Sequence, residues 1–143
     1  MEKVYVVYWS QTGNTQAMAE AIGEGIASAG KEPVVTEVGN ISADELKNEK
    51  CFALGCPAMG AEVLEEMEME PFVEEVEAIA KGKTIALFGS YGWGDGQWMR
   101  DWEERMCTAG ATVLNGDGLI CQEMPDDRAL EECREAGKQL AGI

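Results

Sequence analysis

Val4 to Trp9 is an unbroken apolar run of β-branched and aromatic residues. It lacks the alternation of a half-exposed strand and so fits one buried on both faces, as in a parallel sheet. The chain then turns abruptly to uncharged polar residues and a glycine, Ser10 to Thr15. From Met18 the apolar positions Ile22 and Ile26 follow at helical spacing. This predicts a helix from about Asn14 to about Ala29-Gly30, where glycine serves as the stop signal. Pro33 to Val38 alternates and reads as an edge strand. Ser42 to Lys47 supplies a capped turn of helix before a third strand, Cys51 to Cys56, which Pro57 ends. Phe72, Val73, Val76, Ile79 and Ala80 form a helical stripe opened by Pro71 and closed by Gly82. Thr84 to Phe88 is the most uniformly apolar strand. Met99, Trp102, Met106 and Ala109 then take core positions on a further helix. Thr112 to Leu114 and Gly118 to Cys121 read as one strand interrupted at Asn115-Gly116-Asp117. A last helix, capped by Asp126 or Asp127, turns Leu130, Cys133, Gly137 and Leu140 inward.

Strands and helices alternate throughout, with no internal repeat and no low-complexity linker. The expected architecture is a single α/β domain over residues 1–143: a parallel sheet covered by helices on both faces and joined by right-handed crossovers.

Three stretches fit neither periodicity, and each directly follows a strand. The first is Ser10 to Thr15. A helix start presents unpaired backbone N–H groups and the positive end of the helix dipole, so an anion can sit there without a cation. Ser10, Thr12, Asn14 and Thr15 add side-chain donors, and no Lys or Arg lies between Lys3 and Lys31. A P-loop is excluded because its lysine is missing, and a Cys-x5-Arg phosphatase loop lacks both its thiolate and its arginine. An ordinary helix cap would use the same residue types. The second stretch is Pro57 to Glu62, and the third is Gly89 to Gly96, where four glycines in eight residues give a backbone able to approach a ligand closely.

Composition narrows the chemistry. The chain has no histidine, which removes serine–histidine, cysteine–histidine and ordinary zinc chemistry. Its 27 acidic and 11 basic residues give a net charge of −16, which repels nucleic acid and anionic membranes and attracts basic proteins. Five cysteines without Cys-x-x-Cys spacing read as buried thiols, with neither disulfides nor metal ligands expected. No secretion signal and no membrane-length apolar run is visible, so a cytoplasmic monomer is expected.

The first loop resembles the phosphate-binding signature of the flavodoxins, Thr/Ser-x-Thr-Gly-x-Thr, through Ser10, Thr12, Gly13 and Thr15. Gly55-Cys-Pro-Ala-Met-Gly60 and Gly89-Ser-Tyr-Gly-Trp-Gly94 resemble the two flavin-flanking loops of short-chain flavodoxins, especially those of anaerobic bacteria. The similarity runs nearly end to end. It implies a doubly wound five-stranded sheet of order 2-1-3-4-5, an order for which flavodoxin is itself the standard illustration. It also implies non-covalently bound FMN and no catalytic residue or metal. Trp9, Ser10, Gln11, Thr12, Gly13, Asn14 and Thr15 would hold the phosphate side. Pro57, Ala58, Met59, Gly60, Ala61 and Glu62 would form one wall, and Ser90, Tyr91, Gly92, Trp93 and Gly94 the other. Met59 and Trp93 would flank the ring, Glu62 would accept from its N3–H, and Gly60 would turn its carbonyl to N5 and so favour the neutral semiquinone.

The resemblance thus implies a low-potential one-electron carrier cycling between semiquinone and hydroquinone, with ferredoxin-linked oxidoreductases of basic surface as partners. The run Glu62 to Glu77, with eight glutamates and no basic residue, would disfavour the anionic hydroquinone and present the docking face. An FMN-dependent NAD(P)H reductase of related fold is the alternative. Gln97 stands where a Gly-x-Gly-x-x-Gly fingerprint needs glycine, which counts against it. A receiver domain needs acidic residues where this chain has Trp9-Ser10 and Cys56-Pro57. Glu123, just past the last strand, has a register the sequence leaves open.

Overall fold

A computed structural model describes residues 2–60 and 62–143. Five strands run β1 (Lys3–Tyr8), β2 (Glu32–Glu37), β3 (Cys51–Gly55), β4 (Thr84–Tyr91) and β5 (Thr112–Val113), and a sixth, β6 (Leu119–Gln122), follows. The helices are α1 (Asn14–Ser28), α2 (Met69–Glu77), α3 (Gln97–Thr108) and α4 (Asp127–Ala141). The sheet is parallel, in the order β2-β1-β3-β4-β5, with β6 also paired to β4.

The apolar runs of the central strands conceal an alternation between two cores. Val7, Phe52, Leu54, Ile85 and Leu87 face α2 and α3 and meet Val73, Val76, Trp98 and Trp102. Val4, Val6, Ala53, Ala86 and Phe88 face α1 and α4 and meet Ile22, Ile26 and Leu140. On this second face the two helices pack at backbone distance. A Cβ on Gly25 would lie 1.9 Å from the Arg134 carbonyl oxygen, and one on Gly137 2.1 Å from that of Ile22. Glycine is required at both crossings by steric exclusion, since both residues lie within helices.

Two expectations need correction, the single last strand and the burial of all five cysteines, whereas the capped turn of helix at Ser42 to Lys47 is present. The last strand is two strands: Asn115 (φ 62°) and Gly116 (φ 80°) form a tight left-handed turn that breaks the ladder. The Glu103 carboxylate accepts the freed Gly118 N–H at 2.6 Å, and the chain rejoins β4 further along, with Phe88 opposite Leu119 and Tyr91 opposite Gln122. Between β2 and β3 there are only 3₁₀ turns, Val38–Asn40 and Ala43–Leu46. The second carries the expected cap, a reciprocal box between Ser42 and Glu45. The cysteines are all free, but only Cys51, Cys56 and Cys133 are buried, whereas Cys107 is exposed on α3. Trp102 is core as expected, and Trp98 is a second core tryptophan that the spacing argument passed over. Among the described residues no helix is long and apolar enough to cross a membrane.

Candidate functional site

In a parallel sheet of this order the loops leaving the carboxyl ends of β1, β3 and β4 converge. Each is pinned to its neighbour by backbone bonds. Trp9 N–H donates to the Gly55 carbonyl at 3.0 Å, Cys56 N–H to Phe88 at 3.1 Å, and Ala58 N–H to Ser90 at 3.0 Å.

The first loop ends at Gly13, the N-cap of α1, in the left-handed region (φ 95°). The Ser10 hydroxyl oxygen accepts from Gly13 N–H at 3.2 Å and Gln16 N–H at 3.3 Å. Backbone amides of a helix start thus converge on one oxygen, the arrangement that an anion's oxygen would meet. The Thr15 side chain is buried; its hydroxyl accepts from Ser90 N–H at 3.3 Å and lies 3.2 Å from the Ser90 hydroxyl. Of the four expected side-chain donors, Ser10 is therefore occupied as an acceptor and Thr15 ties this loop to β4. Thr12 and Asn14 have no side-chain bond among the described residues.

The second loop folds back on itself, with Met59 and Val63 exchanging backbone bonds at 2.9 and 3.1 Å. At its tip Gly60 and Glu62 both have positive φ, 36° and 57°. A Cβ on Gly60 would meet nothing within 4 Å, so the demand for glycine there is one of backbone conformation. Ala61 lies outside the described residues. One Glu62 carboxylate oxygen accepts from Gln97 N–H, the first residue of α3, at 3.0 Å, which joins the second loop to the end of the third.

The glutamate run beyond this tip is less uniform than its sequence. Glu65 is buried, and its carboxylate accepts from the backbone N–H groups of Met67, Glu68 and Met69 at 2.7, 2.8 and 2.9 Å. Burial pushes this carboxyl up, but the amides of Met69, Glu68 and Met67 together outweigh it and hold the group below its usual range. Glu70 and Glu77 are held by Arg105 of α3, at 2.6 and 2.9 Å. The bonds to Glu70 in particular raise the arginine's affinity for its proton. With Glu62 on Gln97 N–H, four of the eight glutamates are thus engaged within the protein. The expected all-acidic docking face shrinks accordingly.

In the third loop Trp93 is 67% exposed. Behind the loop, Trp98 donates its indole N–H to the Cys56 carbonyl at 3.1 Å and packs on Tyr91, ring centroids 5.6 Å apart and tilted by 52°. The β6 return brings in a fourth segment. Glu123 (φ 58°) donates its N–H to the Tyr91 carbonyl at 2.7 Å, and the Gln122 amide donates to Gly92 at 3.4 Å.

Together these loops enclose a cavity of about 240 Å³ lined by Ser10, Gln11, Thr12, Asn14, Thr15, Pro57, Ala58, Met59, Ser90, Tyr91, Gly92 and Glu123. The lining contains no lysine or arginine, is hydroxyl- and amide-rich beside α1, and is apolar beside Met59. Trp9 faces a neighbouring cleft with Glu37, Gly39 and Glu68. Gly13 caps the helix behind the cavity, while Gly60, Glu62, Trp93 and Gly94 belong to the loops around it. Glu123 is the lining residue whose place only the broken last strand settles. The donor set suits a phosphate ester carrying a partly apolar group, held without a cation.

The Flavodoxin family model matches residues 6–137. The flavodoxin of Clostridium beijerinckii is 54% identical over 138 residues, covering 96% of this chain and 99% of that protein. That of Megasphaera elsdenii is 43% identical over 96% of this chain and 98% of its own length. The solution structure of the two-electron-reduced Megasphaera elsdenii flavodoxin superposes with a TM-score of 0.87 at 42% identity, covering 98% of this chain and 99% of that one. A family model that matches nearly the whole chain and full-length relatives at 54% and 43% identity place this chain in the flavodoxin family.

Proposed function

We propose that this chain is a low-potential one-electron carrier that binds FMN non-covalently and transforms no substrate of its own. The observation that supports this most directly is the convergence of the β1, β3 and β4 loops on one cation-free cavity, where α1 amides already meet the Ser10 hydroxyl oxygen. FMN, when bound, supplies a ring that takes up electrons one at a time.

The residues divide the work. Gly13 and the α1 amides behind Ser10 receive the phosphate by hydrogen bonding and helix dipole, with Thr12 and Asn14 as side-chain donors. Gln11 and Trp9 close that end, and the Thr15–Ser90 contact fixes its distance from the other loops. Pro57, Ala58 and Met59 present one wall, Tyr91, Gly92 and Trp93 the other, with Gly94 shaping the second bend. Glu62, with one oxygen on Gln97 N–H, keeps the other for a ring donor. At Gly60 the following peptide can turn its carbonyl toward a ring donor at low strain.

The phosphate stays unneutralised in such a site, and exposed carboxylates such as Glu66, Glu68 and Glu123 stand on the surrounding loops. Added negative charge on the cofactor is then disfavoured, and each ~1.4 kcal/mol of that penalty lowers a one-electron couple by about 59 mV. The same carboxylates steer basic redox enzymes toward this edge, among which ferredoxin-linked oxidoreductases fit the charge. A cytoplasmic location suits five unpaired thiols, and the compact fold acts as one monomeric domain.

Reconstitution tests this. Apoprotein offered FMN should turn yellow and quench flavin fluorescence, and stepwise dithionite should produce a blue stage near half-reduction. A protein that remains colourless, or one reduced rapidly by NAD(P)H without an added reductase, would contradict the reading.

A further inference from the structure

Among the described residues six large apolar side chains are exposed. Five of them, Val63, Met67, Trp93, Ile120 and Met124, lie on β6 or on the loops that follow β3, β4 and β6. The sixth, Ile143, is at the opposite end, beside Lys3 and Lys50. A scattered apolar side chain on a surface needs no explanation, but a concentration along one edge marks an interaction site. Met67 is 84% and Met124 78% exposed, more than Trp93 between them. Such values are unusual for methionine, which is mostly interior.

Their placement follows from the sheet. β3, β4 and β6 are consecutive along this edge, and cross-links hold their loops together: Gln97 N–H to Glu62, and Glu123 N–H to Tyr91. Met67 hangs from the turn fixed by the buried Glu65 carboxylate, which accepts its N–H. The surrounding charge has one sign. Exposed Glu66 and Glu68 flank Met67, and exposed Glu123 and Asp126 flank or closely follow Met124. The two cations at the neighbouring helix starts are already paired, Arg100 with Asp95 at 3.1 Å and Arg128 with Glu132 at 3.4 Å.

We propose that Met67 and Met124 are the apolar anchors, one on each side of Trp93, by which this edge docks on redox proteins that present an apolar centre rimmed by lysine or arginine. The inference rests on the electron-carrier reading above. The two kinds of residue act on different rates. The acidic rim accelerates encounter in a salt-dependent way, whereas apolar side chains desolvated at the centre set how long the complex lasts. Methionine is unbranched and adaptable, which suits a carrier that must fit a donor and an acceptor of different shape with a single face.

Ferrous cytochrome c, a lysine-rich haem protein, serves as probe, because it has no electron to receive from the oxidised FMN-loaded protein. Titrating it into protein with labelled methionine methyls should shift the Met67 and Met124 resonances and leave buried Met18, Met69, Met99 and Met106 in place. The double variant Met67→Gln/Met124→Gln keeps the net charge. It should retain FMN affinity and the salt slope of association, while its Kd for the probe rises about tenfold through faster dissociation. Ile143→Gln should leave that Kd unchanged. A double variant that holds FMN and binds the probe within about twofold of the parent, or unmoved Met67 and Met124 methyls, would overturn the docking proposal alone. Parent protein that takes up no FMN would overturn the electron-carrier reading on which it rests.

Discussion

Replacing Glu65 with alanine should destabilise the protein more than any other single change in the glutamate run. Its carboxylate accepts three backbone N–H groups within 2.9 Å, and α2 has no side-chain cap from its own N-cap residue, Glu68. Hydrogen bonds to charged groups contribute roughly 1.5–3 kcal/mol each, but not additively. Met67 and Glu68 are exposed, so their amides can turn to water, whereas Met69 is fully buried and its N–H would be left unpaired at a cost of about 1–3 kcal/mol. Adding a lost helix cap of about 1 kcal/mol gives an expected loss of about 3 kcal/mol. For a chain of this size that lowers Tm by roughly 6–12 °C. Glu65→Gln keeps one acceptor oxygen and should lose roughly half as much.

The charge itself makes the effect pH-dependent. Because the folded carboxyl titrates below its ordinary value of 4.5, its contribution is fully present above that value and is lost as pH falls through the folded pKa. Chemical unfolding of the apoprotein, followed by circular dichroism between about pH 6 and about pH 3, should show parent and Glu65→Gln converging at the acid end. The reasoning fails if Glu65→Ala loses less than about 1 kcal/mol, or if the gap to Glu65→Gln stays constant with pH.

Gly60→Ala meets no neighbour but forces a Cβ onto a positive-φ backbone. With FMN bound it should reduce the blue species seen during dithionite titration, with Tm lowered by no more than a few degrees; undiminished colour would count against the carbonyl role of that peptide. Gly137→Ala would push a methyl to 2.1 Å from the Ile22 carbonyl oxygen. Moving α4 away from α1 should cost about 1–3 kcal/mol or more, measurable by urea unfolding, and a neutral result would contradict the backbone-distance packing. Thiol titration with a coloured disulfide at mildly alkaline pH should find Cys107 reacting at once. Cys56 and Cys133, whose burial raises their pKa to about 12, should wait for unfolding, and fast reaction of all five would refute the burial assignments.

The parts of this fold that were legible in the sequence are those where one physical requirement dominates. A strand buried on both faces must be apolar throughout, so β1, β3 and β4 were found, and the abrupt loss of that pattern at Ser10, Pro57 and Gly89 marked the loops that build the cavity. What stayed hidden depends on pairings between distant residues. Nothing local to Asn115-Gly116-Asp117 says that Glu103 will take the Gly118 amide and let β6 rejoin β4, yet that return is what places Glu123 at the cavity. Neither does a run of glutamates announce which member turns inward.

Glu65 and Arg105 show why this last point matters for function. In the sequence the eight glutamates form one uniform field. In the structure Glu70 and Glu77 share one arginine from another helix, which offsets one of their two charges, and Glu65 is screened by three amides in the interior. A charge compensated at 2.6–2.9 Å contributes little field beyond a Debye length of about 8 Å. Besides Glu62, whose second oxygen is kept for the ring, the carboxylates that can act on a bound cofactor or an approaching protein are therefore the exposed ones nearest the loop tips, Glu66, Glu68 and Glu123. Neutralising these three to glutamine should raise the more negative of the two one-electron couples and slow association with basic partners at low salt. Neutralising Glu74 and Glu75, which are exposed on α2 away from the tips, should do less of both. Equal shifts from the two sets in protein-film voltammetry would refute the division and restore the uniform field that the sequence alone presents.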